Sequence, residues 1–194
     1  MINFTVIIPC FNSSKTIARA LDSLIDQTYS SFDVVLIDDA SDDYAELVRI
    51  VEVYQSKLKI SVIRNAINKN GAYARNKGIA SAKNEYVAFL DADDSWVLTR
   101  LASAVDVINT MKKEHFIVYS QVSLIQNNET GAILPIRSIR ANELVSEYVF
   151  AAGQPMQTST FFCSLSTAKL VMFDESLSRH QDSDFMMRAQ HQGI

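Results

Sequence analysis

Short β-branched apolar runs alternate along the chain with stretches whose apolar residues recur at helical spacing. Residues 4–8 form one run, which stops at Pro9, and residues 34–37 form another, which stops at Asp38-Asp39. Compact runs of this kind bounded by polar residues read as buried strands. Between them Ser13 and Ser14 offer helix N-caps, and Ile17, Leu21, Leu24 and Ile25 follow at helical steps as far as Gln27-Thr28, which predicts a helix with one buried face. The unit then repeats. Residues 44–57 place Leu47, Val48, Val51 and Tyr54 on one helical face, 60–63 read as a strand, 72–83 as a helix and 86–90 as a strand. Such alternation predicts an α/β fold with a mainly parallel central sheet flanked by helices.

A further helix is expected over about 97–112, with Leu98, Leu101, Val105 and Ile108 on one face. The texture changes after it. Strand-like residues 116–125 and 132–136 flank Asn127-Asn128-Glu129-Thr130-Gly131, a turn-forming stretch that suggests a hairpin. Helices are expected again at 142–150, 166–172 and 182–192. No linker, repeat or low-complexity tract divides the sequence, so residues 1–194 are expected to form a single domain, with a ligand-binding half over 1–95 and a second half over 96–194.

Composition narrows the class. A chain of 194 residues, 48% of them hydrophobic, can bury one core of ordinary size. The formal charge of −4 and a pI near 5.3 argue against nucleic acid as a partner, since that binding draws on a basic surface. Cys10 and Cys163 are the only cysteines and sit among apolar or small residues, which suits a reduced compartment and a core role. The N-terminus lacks the pattern of a signal peptide, and no apolar segment approaches bilayer length. A cytoplasmic, soluble chain is expected, with room for peripheral attachment at the inner face of a membrane.

Ligands of open α/β sheets bind beyond the carboxyl ends of the strands, so the residues that follow each run carry the candidate chemistry. They are Pro9-Cys10-Phe11-Asn12, then Asp38-Asp39-Ala40-Ser41-Asp42-Asp43, then Asp91-Ala92-Asp93-Asp94. Carboxylates gathered at neighbouring strand ends repel one another unless a cation or hydrogen-bond donors offset the charge. Hard oxygen ligands of this type suit Mg²⁺ or Mn²⁺. The last acids could equally cap a helix starting near Val97, since acids favour helix N-termini.

Taken in order and spacing, PCFN at 9–12, DDASDD at 38–43, NKNGAYARNKGI at 68–79 and FLDADD at 89–94 resemble the family 2 glycosyltransferases of bacterial surface-polysaccharide synthesis, which have the GT-A fold. The resemblance covers nearly the whole chain. It implies a Rossmann-like nucleotide-diphospho-sugar transferase that moves a sugar from a nucleotide-sugar, with UDP the expected nucleotide, onto a hydroxyl of a glycan or lipid-linked acceptor. Pro9, Phe11 and Asn12 would border the base, with Phe11 replacing the usual tyrosine and keeping a stacking face while losing the phenolic hydrogen bond. Asp39 would accept from the base while Asp38 braces the loop, and both could instead serve as loop caps. Arg75 would approach the base or phosphates, its alternative being a solvent-exposed ion pair. Asp91 with Ala92 would lie near the ribose, Asp93 would bind Mn²⁺ or Mg²⁺, and the resemblance is least specific at Asp94.

The family's catalytic base corresponds to Asp182 in HQDSDFMMR, residues 180–188, with His180 lining the entrance. Gln181 stands where the family has glutamate, which removes one charge. Asp182 could also simply cap the last helix. The 157–160 stretch, Gln-Thr-Ser-Thr, would face the acceptor. Relatives commonly continue beyond the point where this sequence stops, which leaves open whether the chain is C-terminally truncated. Two alternatives compete with the transferase. A nucleotidyltransferase would need a Gly-rich basic loop after the first strand, which PCFNSSK matches poorly. A nucleotide-sugar-binding module without turnover would keep the pocket and lose the chemistry.

Overall fold

The computed structural model describes residues 1–126 and 129–194. Among the described residues the strands and α-helices are, in order, β1 (Phe4–Cys10), α1 (Ile17–Ile25), β2 (Phe32–Asp38), α2 (Tyr44–Tyr54), β3 (Ile60–Arg64), α3 (Gly71–Ser81), β4 (Tyr86–Phe89), α4 (Arg100–Thr110), β5 (Ile117–Val118), β6 (Val122–Gln126), β7 (Glu129–Leu134), β8 (Phe162–Ser164), α5 (Leu165–Val171) and α6 (Gln181–His191). The main sheet has the order β3-β2-β1-β4-β8-β5. Strands β1 to β4 pair in parallel, and β8 runs antiparallel between β4 and β5. Helices cover both faces, the α/β arrangement that the strand and helix alternation predicts.

Strand β1 shows why its run is apolar at all positions but Thr5. Val6, Ile8 and Cys10 enter one core with Ile17, Leu21, Leu24 and Leu47 from α1 and α2. Ile7 enters the opposite core with Ala72, Ile79, Phe89, Phe161 and Phe185. Successive side chains of a strand point to opposite faces, so a strand covered on both sides is apolar nearly throughout; the one buried polar residue, Thr5, accepts from Asn84 Nδ2 at 3.1 Å.

Pro9 does not end β1, as the sequence suggests it should. It pairs with Ile37, and the strand runs on to Cys10. The carbonyl of Ile7 faces β4 and that of Cys10 faces β2, so Pro9 faces β4, whose ladder with β1 stops at Ile7 and Phe89. Its missing N–H therefore costs no ladder bond.

Other boundaries shift for equally local reasons. Neither Ser13 nor Ser14 caps α1 through its side chain; the Ser13 carbonyl accepts from Thr16 and Ile17 instead. Helix α4 starts three residues later than about Val97. The Val97 carbonyl accepts from Gln27 and the Leu98 carbonyl from Thr28, which holds both residues outside the helix with their side chains exposed. The expected strand 116–125 divides, β5 joining the main sheet while β6 pairs with β7 as a separate hairpin. Asn127 and Asn128 of the expected turn lie outside the described residues, and Glu129 to Gly131 belong to β7. Within 142–150 the chain forms a π-helical turn, Glu147–Ala151, in place of a longer α-helix.

The face of α3 against β1 has no space to spare. Gly78 lies so close that an added Cβ would sit 2.3 Å from Cγ2 of Ile7. We expect Gly78→Ala to lower stability by about 1 to 3 kcal/mol through overpacking, measured by chemical denaturation; an unchanged midpoint would contradict this packing.

Candidate active site

Strands β2, β1 and β4 are neighbours in the sheet, so their carboxyl ends bring three polar loops side by side. Two of these loops are sewn together at Asn12, which adopts the left-handed conformation with φ 51°, one that asparagine tolerates better than most residues. Its N–H donates to Ser41 Oγ at 2.9 Å, and its Oδ1 accepts from the Asp42 N–H at 2.9 Å. The Ser14 N–H adds a bond to Asp43 Oδ2 at 2.8 Å.

The adjacent acids divide their work. Asp38 is fully buried, and its Oδ2 lies 3.3 Å from Arg64 Nε and accepts from the Ser41 N–H. It braces the loop, as expected. Asp39 accepts from Asn65 Nδ2 at 2.7 Å and from the backbone N–H groups of Lys69 at 3.0 Å and Asn70 at 2.8 Å. Asp39 thus shapes the 65–70 loop, and Asn70 passes that order on by capping α3 through the Tyr73 N–H at 3.1 Å. Asn65 went unnoticed in the sequence because no periodicity marks it.

Helix α3 supplies two buried neighbours. Asn76 bonds both backbone groups of Phe173, each at 2.8 Å. Arg75 donates through Nη2 to Asp91 Oδ1 at 2.6 Å and through Nη1 to Gln181 Oε1 at 2.9 Å. Only 8% of Arg75 is exposed, so the reading of a solvent-exposed surface pair does not hold. The guanidinium joins α3, the end of β4 and the start of α6.

The acidic run is a tight turn in which the Asp94 N–H donates to the Asp91 carbonyl at 3.0 Å. Ser159 Oγ accepts from the Asp91 N–H at 3.0 Å and donates to Asp94 Oδ2 at 2.5 Å. Arg19 bonds the Asp93 carbonyl. The helix-cap reading of these acids fails, because α4 begins only at Arg100, with Thr99 at its N-cap. Burial pushes the Asp94 carboxyl above its ordinary range; the Ser159 hydrogen bond opposes this, the Asp91 and Asp93 charges reinforce it, and Arg19 opposes it. Asp93 is exposed, and its carboxylate has no partner among the described residues.

Two cavities meet at this turn. One, of about 530 Å³, is lined by Pro9, Phe11, Asn12, Asp39, Arg75, Asp91, Ala92 and Asp93, all the residues singled out for nucleotide and metal. Phe11 is 51% exposed there, which gives a planar ligand a face to stack on. The other, of about 340 Å³, is lined by Arg75, Asp91, Asp93, Asp94, Thr158, His180, Gln181 and Asp182 among others. Asp182 therefore shares a cavity with Asp93, while Asp184 pairs with Arg188 Nε at 2.8 Å. A third cavity, of about 500 Å³, lies between 117–121 and 135–139 and contains no acid.

No group of three or more His, Cys, Asp or Glu side chains among the described residues is arranged to enclose a metal. Asp93 carries an exposed carboxylate with no partner among the described residues, which would suit a cation that takes its remaining ligands from a bound anion or water, the way Mg²⁺ is commonly held.

Residues 5–168 match the model of Glycosyl transferase family 2. The chain belongs to that family. Along its whole length this family member is 38% identical to the amylovoran biosynthesis glycosyltransferase AmsB of Erwinia amylovora, of which it spans 65%. Over 73% of its length it is 28% identical to the Escherichia coli UDP-Glc:alpha-D-GlcNAc-diphosphoundecaprenol beta-1,3-glucosyltransferase WfgD, of which it spans 54%. The crystal structure of Staphylococcus aureus TarS 1-349 in complex with UDP-GlcNAc superposes with a TM-score of 0.75 at 26% identity, covering 97% of this chain and 53% of that one. The fold is that of the GT-A transferases.

Because Asp39 orders a whole loop, its removal has a structural cost apart from ligand binding. Asp39→Ala should lower stability by about 1 to 3 kcal/mol, the penalty for orphaning buried donors, and speed limited proteolysis within 65–70. Parent-like stability and cleavage would show that the loop holds itself.

Proposed function

We propose that this chain carries the donor site and the base of a metal-dependent, inverting glycosyltransferase. It would move a sugar from a UDP-sugar to a hydroxyl of a glycan or lipid-linked acceptor in surface-polysaccharide synthesis. The observation that carries the reading is the meeting of two cavities at one acidic turn, with nucleotide-type residues on one side and Asp182 on the other. The names of the relatives support the substrates: WfgD takes UDP-Glc and a diphosphoundecaprenol-linked sugar, and TarS binds UDP-GlcNAc. A lipid-linked acceptor would bring the chain to a membrane surface as a peripheral protein. No helix among the described residues is long and apolar enough to cross a membrane.

In this reading the base stacks on Phe11 beside Pro9 and Asn12. Asp39 has accepted three hydrogen bonds from the 65–70 loop and keeps one lone pair for an N–H of the base. Arg75 and Asp91 form the wall between donor and acceptor, near ribose and phosphates, and Ala92, being small, lets the nucleotide lie close to the turn. Asp93 would hold Mn²⁺ or Mg²⁺, and the cation would supply positive charge to offset that of the departing diphosphate. The acceptor oxygen attacks the anomeric carbon from the side opposite the diphosphate, the bond from that carbon to the diphosphate oxygen breaks, and the hydroxyl proton passes to Asp182. Asp182 Oδ1 accepts from the Ser183 N–H at 2.8 Å, which leaves its other oxygen for the proton.

The competing reading, a binding module without turnover, draws on Gln181. Here Gln181 Oε1 accepts from Arg75 while its Nε2 donates to the Leu177 carbonyl at 2.7 Å. The neutral amide thus fills its place with both ends bonded and leaves Asp182 free.

Asp93→Ala should abolish transfer and also remove the rise in UDP affinity that Mn²⁺ produces in the parent, read by calorimetry with and without chelator. A Mn²⁺ effect that survives the substitution would move the metal elsewhere. Asp182→Asn should slow single-turnover transfer by about 10² to 10⁴ while leaving UDP-sugar affinity nearly unchanged. Asp184→Asn should spare the chemical step, since its carboxylate is bound to Arg188. Reversal of that order would make Asp184 the base, and UDP-sugar binding without transfer in the parent would favour the module.

A further inference from the structure

The stretch Gln157 to Thr160 reads in the sequence as part of the acceptor side, yet the structure gives Ser159 a different position. It lies in a 3₁₀ turn, Thr158–Thr160, just before β8, and only 5% of it is exposed. Its single hydroxyl touches both ends of the acidic turn, accepting from the Asp91 N–H at 3.0 Å and donating to Asp94 Oδ2 at 2.5 Å. Because a hydroxyl has one proton to give, that proton is committed to Asp94.

The 3₁₀ turn is itself held firmly. Trp96 Nε1 donates to the Ser159 carbonyl at 2.7 Å, Arg100 donates to the Thr160 carbonyl, and Thr160 Oγ1 donates to the Gln157 carbonyl at 2.7 Å. Arg100 also lies over the Trp96 and Phe162 rings. Behind it, the Phe161 carbonyl accepts from the Phe89 N–H at 3.1 Å, which joins the turn to β4, the strand that delivers the acids.

We infer that Ser159 is a positioning residue for the cation site, a latch that fixes the acidic turn so that Asp93 presents its carboxylate without rearrangement. This rests on the metal-dependent reading above. Partners that orient first-shell ligands typically change metal affinity by about 10- to 100-fold when removed. The latch acts on two of the three acids. It anchors the backbone at Asp91 ahead of Asp93 and the carboxylate of Asp94 behind it, and Asp93, between them, is the one acid of the run without a side-chain partner among the described residues.

The test is Mn²⁺ titration of the UDP-bound protein by calorimetry for the parent, Ser159→Ala, Asp94→Ala and the double variant, with UDP affinity in chelator as control. The expected result is a loss of about tenfold or more in Mn²⁺ affinity for Ser159→Ala, unchanged metal-free UDP affinity, and a smaller additional loss when Ser159→Ala is made in the Asp94→Ala background. Ser159→Thr, which keeps the hydroxyl, should recover Mn²⁺ affinity wherever thermal denaturation shows it folds as the parent does. Parent-like Mn²⁺ affinity in Ser159→Ala would overturn the latch, as would fully additive losses. A parent that gains nothing from Mn²⁺ would instead overturn the metal-dependent reading itself.

Discussion

The site depends above all on one buried guanidinium. Arg75 reaches from α3 to Asp91 at the end of β4 and to Gln181 at the start of α6, and it lines both cavities. A buried cation is tolerated only when paired and hydrogen-bonded, and stripping away one partner leaves the other charge exposed to a low-dielectric surround. Among the described residues Asp91 is the only carboxylate paired with Arg75, and the Arg75 Nε is buried without a partner. With glutamine in place of a second acid, the wall between the cavities keeps more of its positive character than two carboxylates would leave it.

Two supports keep this contact in place. Aromatic packing sets the height of α6: Phe173 stacks on Phe185 with ring centres 4.3 Å apart, and Phe89 of β4 meets Phe173 edge-on at 5.4 Å. Such pairs add about 0.5 to 1.5 kcal/mol each beyond the burial of their area. Asn76 fixes the Phe173 backbone to α3 in both directions. Asp182 thus takes its position from a core that begins in the parallel half of the sheet, although it lies more than a hundred residues farther along the chain.

Charge is managed differently at each strand end. At the end of β2, Asp38 is absorbed into the fold by Arg64 and Ser41, Asp39 by three N–H donors and Asp43 by the Ser14 N–H, while Asp42 stays exposed. After β4, Asp91 is paired and Asp94 is latched, while Asp93 remains open to solvent. Identical side chains therefore carry different meanings, set by which donors the neighbouring loops bring within reach. A count of acids does not distinguish these roles; the distribution of their partners does.

The sequence by itself determined the α/β class, the mainly parallel strands and the helices between them, because each of these is written in local periodicity. The residues that line the cavity at the strand ends, and Asp182 in the cavity beside it, were singled out by the resemblance of short motifs. The sequence did not determine that Pro9 continues β1, that Val97 and Leu98 stay outside α4, or that residues 116–125 divide between two sheets. Those outcomes turn on which side of a ladder a missing N–H faces and on carbonyls taken by Gln27 and Thr28, contacts distant along the chain. The roles of Asn65, Asn76 and Ser159 were hidden for the same reason. A polar side chain carries no periodic signal, and its function is fixed only when tertiary packing brings its partner to within hydrogen-bonding distance.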